Sequence, residues 1–377
     1  MESGSRLVLL DFLLVIISLS THLVDLLVNC YTVYKQFYMR NYTVMALTAL
    51  LAFIPGFITS ILSCFLLTKG SSQSVKPKLP TIFHVFRILS IVFLNSPISG
   101  YINVLYYLLK RYRALLKGEL EALQRSWEVM AACMTEVTLL RLFFAFLNTS
   151  PQFILQLYLV QVETKANSSE GWIEIALAVN SLISVSIAVT TYDRTFLQNQ
   201  PDKEAIRFRA TAILFLIHFF SLSSRLLAIG LFTSLSIEYA ALLLGIHWTV
   251  MVAWLMLPVL KSSFHMEKIL SIMALGLAFI FVFIKSDGSR TRRKYAFYYT
   301  ISLVGNTSMM VMWLKHGSYP SLSDIPNVMG SWIYYLGLSC HYVFFLTGIA
   351  LLALYHAGRL PEHEGAVSMD IRLNERL

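Results

Sequence analysis

Leu7-Val8-Leu9-Leu10-Asp11-Phe12-Leu13-Leu14-Val15-Ile16-Ile17-Ser18-Leu19-Ser20-Thr21-His22-Leu23-Val24-Asp25-Leu26-Leu27-Val28 is the stretch on which the fold turns. It is long enough to cross a ~30 Å hydrocarbon core as a helix. It is too long for a secretory leader, and no small-residue cleavage site follows it. It reads as a first membrane span, with Arg6 in front of it. Asp11 and Asp25 lie close to a whole number of helical turns apart, so one face carries both.

The rest of the chain repeats that pattern. Of its 377 residues, 56 % are hydrophobic and 14 % charged, against roughly 25 % charged in a soluble domain. The net charge of +9 does not imply nucleic acid, because the basic residues sit in loops between apolar blocks, where membrane topology places them. Cys30, Cys64, Cys133 and Cys340 show neither metal spacing nor a disulfide framework and read as apolar fillers.

The apolar segments are 7–28, 44–68, 81–109, 136–162, 172–196, 210–232, 239–260, 264–284, 296–314 and 330–355. If all crossed, Lys and Arg would divide evenly between the two faces and give no orientation. If 81–109 and 264–284 enter and leave by the same face, 23 of the 30 Lys+Arg fall on one side, with Arg194 among them, and 4 on the other. Arg87, Arg141 and Arg225 then remain within spans. The expected fold is therefore an all-α polytopic membrane protein of eight transmembrane helices and two re-entrant helices, with both termini cytosolic. Asn95-Ser96-Pro97 and Gly100 interrupt the first re-entrant segment, as expected where freed backbone groups are surrounded by protein or a wet cavity. Gly276 is the corresponding candidate in the second.

This order implies two parallel, pseudo-symmetric repeats, 1–205 and 206–356, followed by a cytosolic tail, 357–377. Asn148-Thr149-Ser150 and Asn306-Thr307-Ser308 recur in the fourth element of each half. Between them, 110–135 reads as an amphipathic cytosolic helix, with Leu115, Leu116, Leu120, Leu123 and Trp127 opposite Lys117, Glu121 and Arg125. A solvated connector packed on the protein fits the same pattern.

No Gly-rich phosphate loop, His-Glu-x-x-His or Gly-x-Ser-x-Gly appears; no enzyme, cofactor or metal site is expected. His22, His218, His247 and His341 lie in spans as hydrogen-bonded packing residues. The informative residues are the ionisable ones in or beside spans: Asp11, Asp25, Arg87, Glu136, Arg141 and Arg225. Each is unfavourable in hydrocarbon unless paired or hydrated. They read either as internal salt bridges that orient the bundle or as a polar track along which a charged group moves, and the two can coexist.

Leu139-Leu140-Arg141-Leu142-Phe143 and Leu147-Asn148-Thr149-Ser150-Pro151-Gln152-Phe153-Ile154-Leu155-Gln156-Leu157-Tyr158 resemble the signature of the XK-related family, L-R-L-F-E-x-F-L-E-x-x-P-Q-L-x-L-Q-L-Y. Arg141, Pro151, Gln152 and Gln156 are the matched positions. Asp11 and Asp25, Arg225 with Leu231-Phe232-Thr233, His265-Met266-Glu267-Lys268, and Gly288-Ser289-Arg290-Thr291-Arg292 extend the resemblance along nearly the whole chain. There are departures. Phe144 and Asn148 stand where the signature has glutamates, Asn29 where the family's scramblases have another acid, and Thr191 where the family has Asp. Gly305-Asn306-Thr307 replaces Glu-Asn-Thr.

The resemblance implies eight spans and two partly inserted helices in two halves, and an ATP-independent phospholipid scramblase that exposes phosphatidylserine at the plasma membrane after caspase cleavage in apoptosis. Its implied partners are membrane phospholipids, a caspase and a single-span glycoprotein. Its alternative is a non-scrambling XK-like membrane scaffold or small-solute transporter acting with such a glycoprotein. In the tail, Val367-Ser368-Met369-Asp370 offers Asp370 as a caspase site, and Asn167-Ser168-Ser169 is a glycosylation sequon in an expected outer loop.

Overall fold

The computed structural model describes residues 2–70, 81–163, 168–199, 208–257, 266–284, 292–316 and 336–356. Asn167, Asp370 and the tail lie outside the described residues. Everything regular among the described residues is helical: α1 Glu2–Tyr38, α2 Tyr42–Gly70, α3 Thr81–Val92, α4 Ser96–Lys117, α5 Leu120–Phe144, a π turn Ala145–Thr149, α6 Ser150–Glu163, α7 Ser168–Gln198, α8 Phe208–Thr233, α9 Ile237–Met256, α10 Met266–Phe281 and α11 Arg292–His316. A last helix, α12, covers Leu336–His356.

Among the described residues, seven helices are long and apolar enough to cross a membrane. The chain is thus a multi-pass helical membrane protein. One of the seven is continuous from Glu121 to Val160 through the π turn, starting well before the 136–162 span expected from the sequence. α11 has the length of a span, but Arg292, Arg293, Lys294 and Lys315 at its ends and Asn306-Thr307-Ser308 within it leave it outside the seven.

The segment 81–109 is broken where Asn95-Ser96-Pro97 stands. α3 ends at Val92, α4 starts at Ser96 with Pro97 in its first turn, and Leu94 between them takes φ 57°. Proline suits that first turn because its missing N–H has no helical partner there. α2 is shaped to receive the break. Pro55-Gly56 lies against it, and a Cβ on Gly56 would come within 2.6 Å of the Leu94 carbonyl oxygen. Gly100 likewise lets α4 close on Val137 of α5.

The stretch 110–135 is not one amphipathic helix. α4 runs on to Lys117, turns at Gly118 with φ 71°, and α5 begins at Leu120. The Glu119 N–H bonds to the Ala114 carbonyl and the Gly118 N–H to Leu115, a Schellman-type end that needs the left-handed residue glycine supplies. Lys117-Gly118 is the signal that ends the helix. The hydrophobic spacing continues across it only because both arms of the hairpin pack on each other.

The second expected re-entrant segment contains α10, whose 16 residues reach only about 24 Å. Phe279, Phe281 and Phe283 at its end are buried with Tyr298 and Trp313 of α11 in the larger apolar core. α7 and α8 line the same core, while α4, α5 and the start of α1 form a smaller one around Tyr101, Val104 and Val137.

Candidate functional site

α1 turns a polar stripe into the bundle. Asp11, Ser18, His22, Asp25, Asn29, Thr32 and Gln36 are all buried and recur at the three-, four- and seven-residue steps that hold one helix face together. From Asp11 to Gln36 the stripe covers roughly 37 Å, more than a hydrocarbon core.

α7 lies antiparallel against this stripe, in one register. Ser18 meets Thr191 at 3.4 Å, Asp25 meets Ser184 at 2.6 Å and Lys35 meets Glu174 at 2.7 Å. Steps of seven and ten residues along α1 are answered by the same steps in reverse along α7. At the near end, Asp11 pairs with Arg194 at 2.7 Å. The equal facing of Asp11 and Asp25 expected from their spacing is thus present, and each finds an arginine.

The centre of the column is Asp25. Its Oδ2 accepts from Arg141 at 2.8 Å, from Ser184, and from Thr149 at 3.1 Å. Arg141 is 1 % exposed and Asp25 4 %. Arg141 also donates to Ser184 and lies 5.7 Å from the Phe144 ring. Phe144, where the family signature has an acid, meets the His22 imidazole edge-on. His22 in turn bonds Asn95 at 2.9 Å, tying α1 to the break before α4.

The π turn sits beside this centre. The Ser150 N–H reaches back to the Ala145 carbonyl, five residues away. Pro151 has no N–H to offer the Leu147 carbonyl, so a regular α turn cannot close there. Asn148, Gln152 and Gln156 are buried on this element. Both side-chain polar atoms of Asn148 and Gln152, and those of Gln36 on α1, have no protein partner. Gln156 accepts from Ser181 at 3.2 Å.

Arg87 of α3 pairs with Glu136 of α5, so those two sequence candidates meet. Arg225 stands apart from the others, in α8. It donates to the Ile280 carbonyl at 2.9 Å and to the Asn306 side chain. His218 of α8 reaches Asp193 of α7 at 3.1 Å, and His341 reaches Ser224 at 3.1 Å. The structure thus brings Asp11, Asp25 and Arg141 into one column, Arg87 and Glu136 into a pair beside it, and leaves Arg225 in a separate cluster.

Sequence reasoning missed Arg194, Lys35 and Glu174. Arg194 is 2 % exposed and is not a loop charge; α7 continues past it to Gln198. The available signal was the row Ser181, Ser184, Thr191 and Arg194 at helical steps, a polar face that demands a polar counterpart.

Residues 13–359 match the family model described as XK-related protein. The chain belongs to the XK-related family. In this XK-related protein the signature residues Arg141, Gln152 and Gln156 are buried on the column or beside it, and Pro151 adjoins the π turn that aims them. Asn29, Phe144 and Asn148, three of the positions where acids of the family pattern are absent, are buried as well. Its acidic content there is reduced to Asp11 and Asp25, each held by arginine, with Glu174 at the far end held by Lys35.

Proposed function

We propose that this XK-related protein is a phospholipid scramblase-type protein, letting lipid headgroups cross the bilayer along the α1 column without ATP and exposing phosphatidylserine at the plasma membrane. The observation that carries the reading is a polar stripe longer than the hydrocarbon core, lined at stages by arginine. A headgroup crossing hydrocarbon is opposed mainly by desolvation of its charge. Staged polar side chains lower that barrier, and arginine offers phosphate a fork of donors. The partnerless amides of Asn148, Gln152 and Gln36 fit a lining that welcomes a polar guest, since a buried unpaired amide is unfavourable by about 1–3 kcal/mol.

In this reading the chain has eight crossings, with α11 as the eighth, and two partly inserted elements, α3–α4 and α10. The halves 1–205 and 206–356 are parallel repeats and both termini are cytosolic. Release of the column is triggered by caspase cleavage at Asp370, with membrane phospholipids as substrate. The column is enclosed as it stands, its charges closed into pairs, and scrambling requires those pairs to part.

That enclosure also supports a second reading, a non-scrambling membrane scaffold or small-solute transporter working with a single-span glycoprotein. Buried pairs that only orient helices would look the same. Purified full-length chain in liposomes with fluorescent lipid separates the two. Dithionite bleaching nearly all the lipid, before or after caspase treatment, supports scrambling. Bleaching of only the outer leaflet under both conditions removes it. Wild-type lipid exposure by Asp370→Ala in dying cells would remove the caspase trigger alone.

A further inference from the structure

The α4–α5 corner carries a second feature that the column does not use. A cavity of about 520 Å³ opens there, lined by Arg111, Leu123, Gln124 and Trp127. Arg111 lies over the Trp127 ring, its guanidinium carbon 4.4 Å from the centroid. The side chain is 18 % exposed, so it is sheltered and still reachable.

Its charge is incompletely answered. Asp11 is shared between two guanidiniums. Arg194 holds one oxygen at 2.7 Å, and Arg111 stands 3.6 Å from the other, beyond hydrogen-bond distance. Nε and Nη1 of Arg111 are buried and have no acceptor, so it is the exposed remainder of the guanidinium that a ligand can reach. The other carboxylates of the corner are engaged elsewhere: Glu119 is 4.0 Å from Lys117, Glu121 is 3.6 Å from Arg125, and Glu128 accepts from Gln124 at 3.5 Å. Burial pulls the Arg111 pKa below its ordinary value while Asp11 opposes that shift.

We propose that this cavity binds the phosphate of a membrane lipid headgroup, with the exposed part of the Arg111 guanidinium as its cation. A phosphate ester accepts charge-assisted hydrogen bonds from a guanidinium. Trp127 and Leu123 give the glycerol portion an apolar floor, and the exposed Arg113 on the same helix adds positive charge to the approach. The site is separate from transfer of lipid across the bilayer, and a chain that does not scramble would still have it.

The test uses the full-length chain in detergent, with thermal unfolding followed against added dioctanoylphosphatidylglycerol, dioctanoylglycerol, glycerol phosphate or inorganic phosphate. The phosphatidylglycerol is expected to raise the midpoint saturably, and dioctanoylglycerol, which has the tails without the phosphate, is not. Arg111→Gln should weaken the apparent affinity about tenfold or more, as loss of a charge-assisted contact does, while Arg125→Gln should leave it unchanged. If Arg111→Gln fails to fold, Leu123→Trp, which fills the cavity and leaves Arg111 in place, should abolish the effect. An equal response to glycerol phosphate or inorganic phosphate would keep the site and assign its ligand to a soluble phosphate. A response to dioctanoylglycerol equal to that of the phospholipid, no response to any probe, or full response by both variants would overturn the proposal.

Discussion

Arg225 and Asn306 form a buried contact in which a full positive charge is met by a neutral amide. Arg225 is 3 % exposed; its remaining hydrogen bond goes to a backbone carbonyl, and no carboxylate among the described residues pairs with it. Next to Asn306 stands Gly305, where a Cβ would lie 3.6 Å from Arg225 Nη1. That distance is ordinary contact, so a side chain has room. Gly305→Glu is expected to supply the missing carboxylate and raise stability by about 1–3 kcal/mol. A higher melting midpoint in detergent is the readout; a lower one would mean that Arg225 is already neutralised.

The Asp25–Arg141 pair gives the opposite sign. Removing either partner leaves a charge buried without compensation, at a cost of about 3–5 kcal/mol. Asp25→Asn and Arg141→Ala should each lower the folded yield and the melting midpoint, and Arg125→Ala, on an exposed face, should do neither. The double variant Asp25→Leu with Arg141→Met should recover much of the loss. If each single variant melts like the parent, the pair has no structural weight.

Two glycines should respond differently to added bulk. Gly56→Val drives a side chain into the Leu94 carbonyl, and overpacking of this kind costs about 1–3 kcal/mol. Gly245, inside α9, has nothing within 4 Å of its Cβ position. Gly245→Ala should stabilise by up to about 1 kcal/mol through helix propensity. Parallel thermal melts decide between them, and equal effects would mean that α2 does not seat the α3–α4 break.

Orientation is open to chemical labelling. In a background without Cys30 and Cys64, which are exposed, Glu119→Cys should be protected from an impermeant thiol reagent in intact cells. Glu238→Cys, at the start of α9, should be labelled. Gly118 is a poor position for the probe, because its φ of 71° strains any side chain placed there. Labelling of Glu119→Cys in intact cells would reverse the proposed topology.

The membrane character, the inward face of α1 and the break at Asn95-Ser96-Pro97 were legible because each depends on local periodicity or on proline chemistry. The partners of Asp11 and Asp25 were only half legible. Arg141 lies deep in an apolar run, where a charge demands explanation. Arg194, Lys35 and Glu174 lie near helix ends, where the same charges look solvated. Their burial comes from helices extending beyond their apolar runs, α1 to Tyr38 and α7 to Gln198, and hydropathy alone does not report that. The 110–135 stretch misled for a related reason: a hairpin packed on itself has the apolar spacing of one continuous helix, and only Lys117-Gly118 distinguishes the two.

The π turn at Ala145–Thr149 acts as a phase shifter in one long rod. One residue more than an α turn needs displaces everything downstream by about 100° of rotation. Upstream, that rod presents Arg141 to the interior; downstream, it presents Gln152 and Gln156. Closing the turn as a regular α turn with every residue kept would leave the composition, length and hydropathy of the segment untouched. It would also turn those glutamines by about 100° away from their present neighbours, so the segment's inward chemistry depends on an angular offset that no residue count by composition records.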